Sequence, residues 1–375
     1  MYNQHNFPRI AIFLRDLEGG GIQKTIVNLI NAMVDKNIIP DLLLTSARGS
    51  FLKEVSSEVR LINLNSKKLF LSIPKLTNYL KKEKPDVLLS ANFNGNIAAF
   101  IARHLARIPT SLFMTAHNTL SIDKYSMPLY TRIPILSLMR WTYPFGDILV
   151  SASEGTARDL EIELGLKKGS VNVLYNPVIN DEIFQQAEEP NEHPWFNPDQ
   201  PPVFLTVGRL NKQKNHKNLI TAFADLRSRR EARLMILGEG ELRTELESLT
   251  KKLGIESDVF MPGFIDNPYS YMSRANAFVL SSDYEALPTV LIEAMACGCP
   301  VISTNCPHGP VEILKEGKYG FLVPENDSIA LARGMEKMLE QPVISNNLLI
   351  QRAKDFSTEK IVSKYLELMR LSTLK

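Results

Sequence analysis

The sequence predicts an α/β protein of two doubly wound, Rossmann-like domains, and three observations predict it. Apolar runs of strand length alternate with helical patterns along almost the whole chain, as parallel strands joined by crossover helices require. The alternation fails once, over residues 188–202, where EEPNEHPWFNPDQPP gathers five prolines and four carboxylates and reads as a linker or domain-boundary loop. The chain has 375 residues, 44% hydrophobic and 22% charged, enough for a large core and of a length that suits two domains.

Taken in order, the first half offers strands at 10–14, 41–45, 60–63, 86–90, 110–116 and 147–151. Helical patterns fill the gaps: Ile22, Ile26, Leu29, Ile30 and Met33 recur at the spacing of one helix face. After the proline-rich stretch, strands are expected at 203–207, 233–237, 259–261, 277–280 and 301–303, with the clearest helices at 219–230, 241–253 and 288–296. A last helical pattern, 359–371, follows the second sheet and is expected to cross back. The domains so drawn are 1–185, 186–355 and a returning helix at 356–375. Sheets of this kind bind ligands beyond the carboxyl ends of their strands, so a site in a cleft that both domains face is expected.

Composition removes several classes of function. Cys297, Cys299 and Cys306 are an odd number within one short stretch, which argues against a disulfide framework. The start, MYNQHNFPRIAIFL, has neither a basic leader nor a small-residue cleavage site, and no apolar run approaches the roughly 18 residues of a spanning helix. A cytoplasmic chain is expected. Through Asn180 there are 21 Lys and Arg against 14 Asp and Glu, an excess of +7, and the remainder carries 22 against 27, or −5. A basic first half meets something anionic, a surface or a substrate; nucleic acid is not an expected partner.

Three stretches carry candidate chemistry. Gly19, Gly20 and Gly21 open the first helix, where glycine permits close approach to unpaired N–H groups that favour anions; a tight strand-to-helix turn is the alternative. The loop matches neither G-x-G-x-x-G nor G-x-x-x-x-G-K-[ST], so dehydrogenase and ATPase readings lose their main support. In VGRLNKQKNHKNLI, Arg209 and Lys214 follow a strand end and precede a helix, a good diphosphate clamp because Arg offers a fork of donors and Lys a mobile charge. Lys212 and Lys217 read as solvated. In SSDYEALPTVLIEAMACG, Glu285 lies on a polar loop, Pro288 suits a helix's first turn and Gly298 its end. Leu287, Thr289 and Val290 present backbone N–H groups suited to a phosphate. Glu293 falls among Leu291, Ile292, Ala294 and Met295. A carboxylate there needs a partner, such as a ribose diol, unless it lies on the solvent face.

Arg209, Lys214 and the E-x7-E pair Glu285 and Glu293 together resemble the signature of retaining GT-B glycosyltransferases of family 4. The glycine loop, VGRLNKQKN, GEGELR, PGF and EALPTVLIEAMACGCPVIST all occur in that family's order. CPHGPVEIL, residues 306–314, is similar to the branch that builds bacterial surface polysaccharides and lipid-linked oligosaccharides. The resemblance implies a hexosyltransferase with two facing domains and a nucleotide-sugar donor, by default a UDP-linked hexose or N-acetylhexosamine. It gives Arg209 and Lys214 the donor diphosphate, Glu293 the ribose hydroxyls, and Glu285 the transferred sugar's hydroxyls, assisted by the Leu287–Val290 amides. Gly20 and Gly21 are implied at the donor. His117, after the strand TSLFMTA, matches a first-domain histidine close to the donor sugar; a structural hydrogen bonder is its alternative.

The implied chemistry rests on electrostatic stabilisation of the departing diphosphate, with no cofactor and no metal. No D-x-D motif occurs, and the first domain offers no evident carboxylate nucleophile, which favours a front-face route with retention. Cys297, Cys299, Cys306 and His308 lack the C-x2-C spacing of a zinc knuckle and read as small buried residues. The implied acceptor is a glycan or lipid-linked hydroxyl. Two segments fit a peripheral site on an anionic membrane: 124–145, with Tyr125, Tyr130, Trp141 and Tyr143 among Lys124, Arg132 and Arg140, and 66–82, with Lys67, Lys68, Lys75, Lys81 and Lys82. Packing on the sheet or a partner is the alternative for both. A nucleotide-sugar epimerase or hydrolase of the same fold, or a non-catalytic binder, are the competing functions; the basic first half argues against the former and the intact Arg209, Lys214, Glu285 and Glu293 against the latter.

Overall fold

A computed structural model of the chain describes residues 7–18, 20–340 and 344–374. It divides into two compact units, Met1–Pro177 with Thr358–Lys375, and Val178–Ser357. Each is a parallel sheet covered by helices.

The first sheet contains β1 (Ile10–Leu14), β2 (Asp41–Leu44), β3 (Arg60–Asn63), β4 (Val87–Ala91), β5 (Ser111–Ala116), β6 (Ile148–Ser151) and β7 (Val171–Val173), in the order β3-β2-β1-β4-β5-β6-β7. β1, β4 and β5 are buried at every residue, because helices cover both faces and leave no side for polar alternation. One face packs under helices Ile73–Glu83 and Phe93–Ala106. The other packs under helix Gly21–Val34 and the last helix, Thr358–Ser372. That last helix buries Ile361, Val362, Tyr365, Leu366 and Met369, one face at helical spacing. At roughly 1.5–3 kcal/mol per large buried side chain, this face fixes the helix on the first unit.

The second sheet contains β8 (Val203–Val207), β9 (Arg233–Leu237), β10 (Val259–Gly263), β11 (Ala277–Leu280), β12 (Val301–Thr304) and β13 (Phe321–Val323), in the order β10-β9-β8-β11-β12-β13. Both sheets reverse direction of winding at one place, between β1 and β4 in the first and between β8 and β11 in the second. Such switch points leave a crevice beyond the carboxyl ends of the strands.

Two differences from the sequence expectation are informative. β7 and β13 were not anticipated; each has three residues at a sheet edge with mixed burial, too short to show a period. Residues 188–202, expected as a linker or domain-boundary loop, are packed down. Their rings pack against β10, the edge strand: His193 lies 4.7 Å from Phe260 and Trp195 5.9 Å from it, with the Arg233 guanidinium 5.4 Å from the Trp195 ring. The prolines stiffen a strap that covers an exposed sheet edge.

Candidate functional site

The crevice of the second unit starts where β8 ends. Gly238, at φ +145, packs so closely on that end that a Cβ there would stand 2.0 Å from the Gly208 carbonyl oxygen; only glycine fits. The loop that follows is pinned by its own polar side chains. Asn211 Oδ1 accepts the Lys214 N–H at 3.1 Å, and Ser281 Oγ donates to the Lys214 carbonyl at 2.8 Å. Asn215, left-handed at φ 44, caps helix His216–Arg227 by accepting the Asn218 N–H at 3.2 Å and donates to Asp283 at 2.6 Å. The loop after β8 is thereby tied to the loop after β11.

Held in this way, Lys214 extends along Gly208 and meets Glu285, Nζ to Oε1 at 2.5 Å. The Ser282 hydroxyl donates to the same oxygen at 2.7 Å. Glu285 is 6% exposed, so the pair is a buried one. Both bonds fall on Oε1, and Oε2 takes no hydrogen bond among the described residues. A buried pair of this kind is costly to break, about 3–5 kcal/mol when one partner is removed. Arg209, on the same loop, is exposed, and its guanidinium pairs with no described residue.

Past Glu285, Leu287 and Pro288 are buried and Pro288 is the N-cap of helix Thr289–Ala296. The first-turn N–H groups of Thr289 and Val290 have no intrahelical acceptor. Glu293 lies on this helix with Leu291, Ile292, Ala294 and Met295 all buried, and is itself half-buried. Burial, and secondarily the Glu293 charge, push the Cys297 thiol up to about 12. Burial, then the Glu285 carboxylate, push Cys306 to about 12 as well, and burial raises Cys299. All three stay protonated at neutral pH. No three His, Cys, Asp or Glu side chains among the described residues group so as to hold a metal ion.

Two positions escaped the sequence reading. A Cβ on Gly309 would stand 2.4 Å from Pro288 Cδ and 3.0 Å from Leu287 Cα, so this glycine is the backing of the loop that follows Glu285. Buried Arg352 in turn holds the segment: it donates to the Glu312 and Ile313 carbonyls at 2.9 Å each and to Asp355 at 2.7 Å, over the Phe356 ring at 4.8 Å. The only signal was the His-Gly-Pro tripeptide, which marks a turn and not what packs on it.

The crevice of the first unit is different. Gly19 lies outside the described residues. Gly20, at φ +150, is the N-cap of helix Gly21–Val34, and a Cβ on Gly21 would meet nothing within 4 Å. His117, just past β5, is buried, with Thr115 Oγ1 at 2.9 Å from Nε2 and Asn176 Oδ1 at 3.3 Å from Nδ1. An amide oxygen only accepts, which puts the ring proton on Nδ1. Burial depresses its pKa to about 4, the Asn176 bond opposing, so the imidazole is neutral. Thr45 Oγ1, Asn94 Oδ1 and Thr119 Oγ1, each shortly after a strand end, are buried with no partner among the described residues. Single Asn and Thr residues give no sequence signal.

No helix among the described residues is long and apolar enough to cross a membrane. Within 124–145, helix Leu129–Thr142 presents Leu129, Tyr130, Ile133 and Trp141 to solvent, and Phe145 beyond it is 60% exposed. Within 66–82, helix Ile73–Glu83 buries Leu76, Thr77, Tyr79 and Leu80 on the sheet; Phe70 and Leu71 ahead of it are exposed.

Comparison with known proteins gives matches across the chain. Residues 19–182 match the family described as Glycosyltransferase Family 4, and residues 187–356 match Glycosyl transferases group 1. An uncharacterized glycosyltransferase of Methanocaldococcus jannaschii is 30% identical over 78% of this chain and 80% of its own length. A Campylobacter jejuni enzyme, named for 4-alpha-N-acetylgalactosaminyl transfer to a diphospho-undecaprenol-linked sugar, is 29% identical over 94% of this chain and 97% of its own. Among solved structures, the Anabaena protein HepE in complex with UDP superposes with a TM-score of 0.80 at 17% identity, covering 96% of this chain and 99% of that one.

Proposed function

The chain belongs to glycosyltransferase family 4 and is a glycosyltransferase of the GT-B class, and from that premise we propose its donor, acceptor and chemistry. The donor is a UDP-linked hexose or N-acetylhexosamine and the acceptor a hydroxyl of a lipid-linked or surface glycan, reached by peripheral attachment to an anionic membrane face. The observation that carries this reading is the buried Lys214–Glu285 pair at the β8/β11 switch point. A charged pair is kept there, in a crevice suited to nucleotides, at a cost in desolvation that packing alone does not require.

Arg209 and Lys214 take the diphosphate, with Lys214 moving its charge from Glu285 to the ligand. Glu285, released, receives hydroxyls of the transferred sugar, while the Leu287, Thr289 and Val290 amides hold phosphate oxygens and Pro288 sets their direction. Glu293 receives the ribose diol. As the glycosyl bond breaks, negative charge grows on the diphosphate, and fixed cations stabilise it without a metal. The departing phosphate oxygen takes the acceptor's proton on the same face, so configuration is retained. Gly20 and Gly21 let the donor approach the first unit's helix end. His117, neutral, exchanges its Thr115 partner at Nε2 for a hydroxyl of the sugar and is no general acid.

A thermal-shift panel of nucleotide sugars tests this. A ligand at 100 times its dissociation constant adds about 2.7 kcal/mol; UDP-sugars are expected to stabilise wild type, and Glu293→Ala to lose about 1.5–3 kcal/mol of donor binding. Transfer to a polyprenyl-diphosphate glycan is expected to continue in EDTA. Rescue of an EDTA-inactivated enzyme by magnesium or manganese would contradict the metal-free clamp, and stabilisation by another nucleotide alone would replace the base.

A further inference from the structure

A cavity of about 540 Å³ opens at the amino ends of the first sheet's strands, on the opposite side from the crevice. Arg103, His104 and Arg107 from the end of helix Phe93–Ala106, Ser111 at the start of β5, Asp147 before β6 and Ser372 at the end of the last helix line it. Its charges do not cancel. Arg103 pairs with Asp147 and donates to the carbonyls of Thr110 at 3.3 Å and Phe145 at 3.2 Å, and Asp147 also accepts the Leu112 N–H at 2.8 Å. That pair is fully used within the fold, and Asp147 is the one carboxylate lining the cavity. Arg107, exposed and left-handed at φ 53, has no ion pair among the described residues. Ser111 is 8% exposed and its Oγ is buried with no hydrogen-bond partner, a donor that is costly to leave unused. The helix-end carbonyls of Arg103 and His104 accept the Arg107 N–H at 3.1 and 3.3 Å, which lessens their repulsion of an anion.

The rim is apolar. Phe100 lies 5.6 Å from the Trp141 ring, 6.4 Å from Phe145 and 6.3 Å from His104, and Leu105, Trp141 and Phe145 are all exposed. Cations and aromatic side chains therefore share one place, where the exposed side of helix Leu129–Thr142 ends.

We infer that this cavity is a headgroup site for an anionic phospholipid. The phosphodiester sits between Arg107, His104 and the Ser111 hydroxyl, and Leu105, Trp141 and Phe145 enter the boundary between headgroups and acyl chains. A free phosphate ion would use the same donors and leave the rim in water, which is why the lipid is the better occupant. The site lies at the opposite strand ends from the first unit's own crevice and acts by holding the first unit on the surface. It rests on the membrane attachment proposed above for its ligand, and can be tested without a bilayer.

The double variant Arg107→Gln, Ser111→Ala changes two residues outside the donor site. A short-chain phosphatidylglycerol, soluble as monomer, is expected to raise the melting temperature of wild type and not of the variant, while inorganic phosphate at the same concentration raises neither. On vesicles, wild type is expected to prefer phosphatidylglycerol to phosphatidylcholine; the variant loses about five- to tenfold of that preference, the share of one cation at an anionic surface, with phosphatidylcholine binding and transfer to a soluble acceptor unchanged. No shift by the soluble lipid, or an equal shift in the variant, overturns the site. An equal shift by inorganic phosphate overturns the lipid as its occupant. A soluble-lipid shift in wild type alone, without vesicle binding, keeps the pocket and sinks the membrane attachment.

Discussion

The two crevices stand on the same strand order and differ in how their polar groups are partnered. At the β8/β11 switch, Lys214 and buried Glu285 are 2.5 Å apart, with Ser282 donating to the carboxylate and Ser281 to the Lys214 carbonyl. In the first unit, the buried carboxylate just past β1, Asp16, is paired with Arg15 and Arg48, and the groups past β4 and β5 are neutral: His117 with both nitrogens occupied, and Asn94 and Thr119 with oxygens that have no partner among the described residues. We attribute the difference to the proposed function, with the donor taken by the second unit's crevice and the acceptor by the first unit's. A diphosphate has the same charge in every donor, so its site can be preset with formal charges. A glycan hydroxyl is neutral and varies in position, so its site is left with open neutral acceptors.

The largest test of that contrast is Lys214→Ala. It is expected to cut turnover by roughly 10²–10³, the scale of one lost charge-stabilising donor, and to destabilise the second unit by about 3–5 kcal/mol, because Glu285 is left buried and unpaired. Restoring stability with Lys214→Ala, Glu285→Gln while turnover stays low would separate the two effects. If Lys214→Ala unfolds in urea at the wild-type midpoint, the pair is not preset.

Next in size is a pH effect that the two units are expected to share. His117 in the first and His216 in the second are both buried and neutral, with pKa values depressed to about 4 and about 3, by burial in each case and also by the Lys214 charge at His216. Below the unfolded value of about 6.5 the unfolded chain binds the protons first, so stability is complete above that pH and falls as pH drops toward the folded values. The slope is about 1.4 kcal/mol per pH unit for each histidine. Urea unfolding at pH 7 and 4.5 measures it; His117→Asn and His216→Asn should each remove one share of the loss. A wild-type stability that is flat across this interval would mean that neither ring is kept neutral.

Smaller again is Gly309→Ala. The added carbon meets Pro288 Cδ at 2.4 Å, and overpacking of this order costs about 1–3 kcal/mol. The donor KM is expected to rise about tenfold on the same free-energy scale, with the acceptor KM unmoved. An effect on the acceptor instead would detach the 306–313 segment from the donor side.

The same contrast explains what could be read from the sequence. The strands of both sheets were legible because buried parallel strands are continuous apolar runs, except β7 and β13, whose three residues carry no period. Lys214 and Glu285 were legible as residue types at fixed spacing; their contact was not, since it depends on Asn211, Asn215 and Ser281, which tie two loops from distant parts of the chain. The proline-rich stretch was legible as a break in the alternation, but its packing was not, because its aromatic partners, Phe260 and Tyr271, come from elsewhere. Asn94 and Thr119 were silent, for they belong to no pattern and gain meaning only from burial without a partner.

Asn94→Ala is the smallest expected effect and the sharpest probe of the first crevice. Its Oδ1 is buried with no hydrogen bond, near the start of helix Phe93–Ala106 and just past the β4 end of the switch point. In the free protein this oxygen has given up water and gained nothing, so deleting it is expected to leave stability unchanged or raise it by up to about 1 kcal/mol, the reverse of Lys214→Ala. With acceptor bound, a sugar hydroxyl supplies the missing donor. The loss should then appear in the acceptor KM alone, about two- to tenfold for one neutral hydrogen bond, with donor KM and the thermal shift by UDP-sugar as in wild type. A fall in stability beyond about 1 kcal/mol would show that the oxygen's partner lies within the protein, and the first crevice would then be as fully preset as the second.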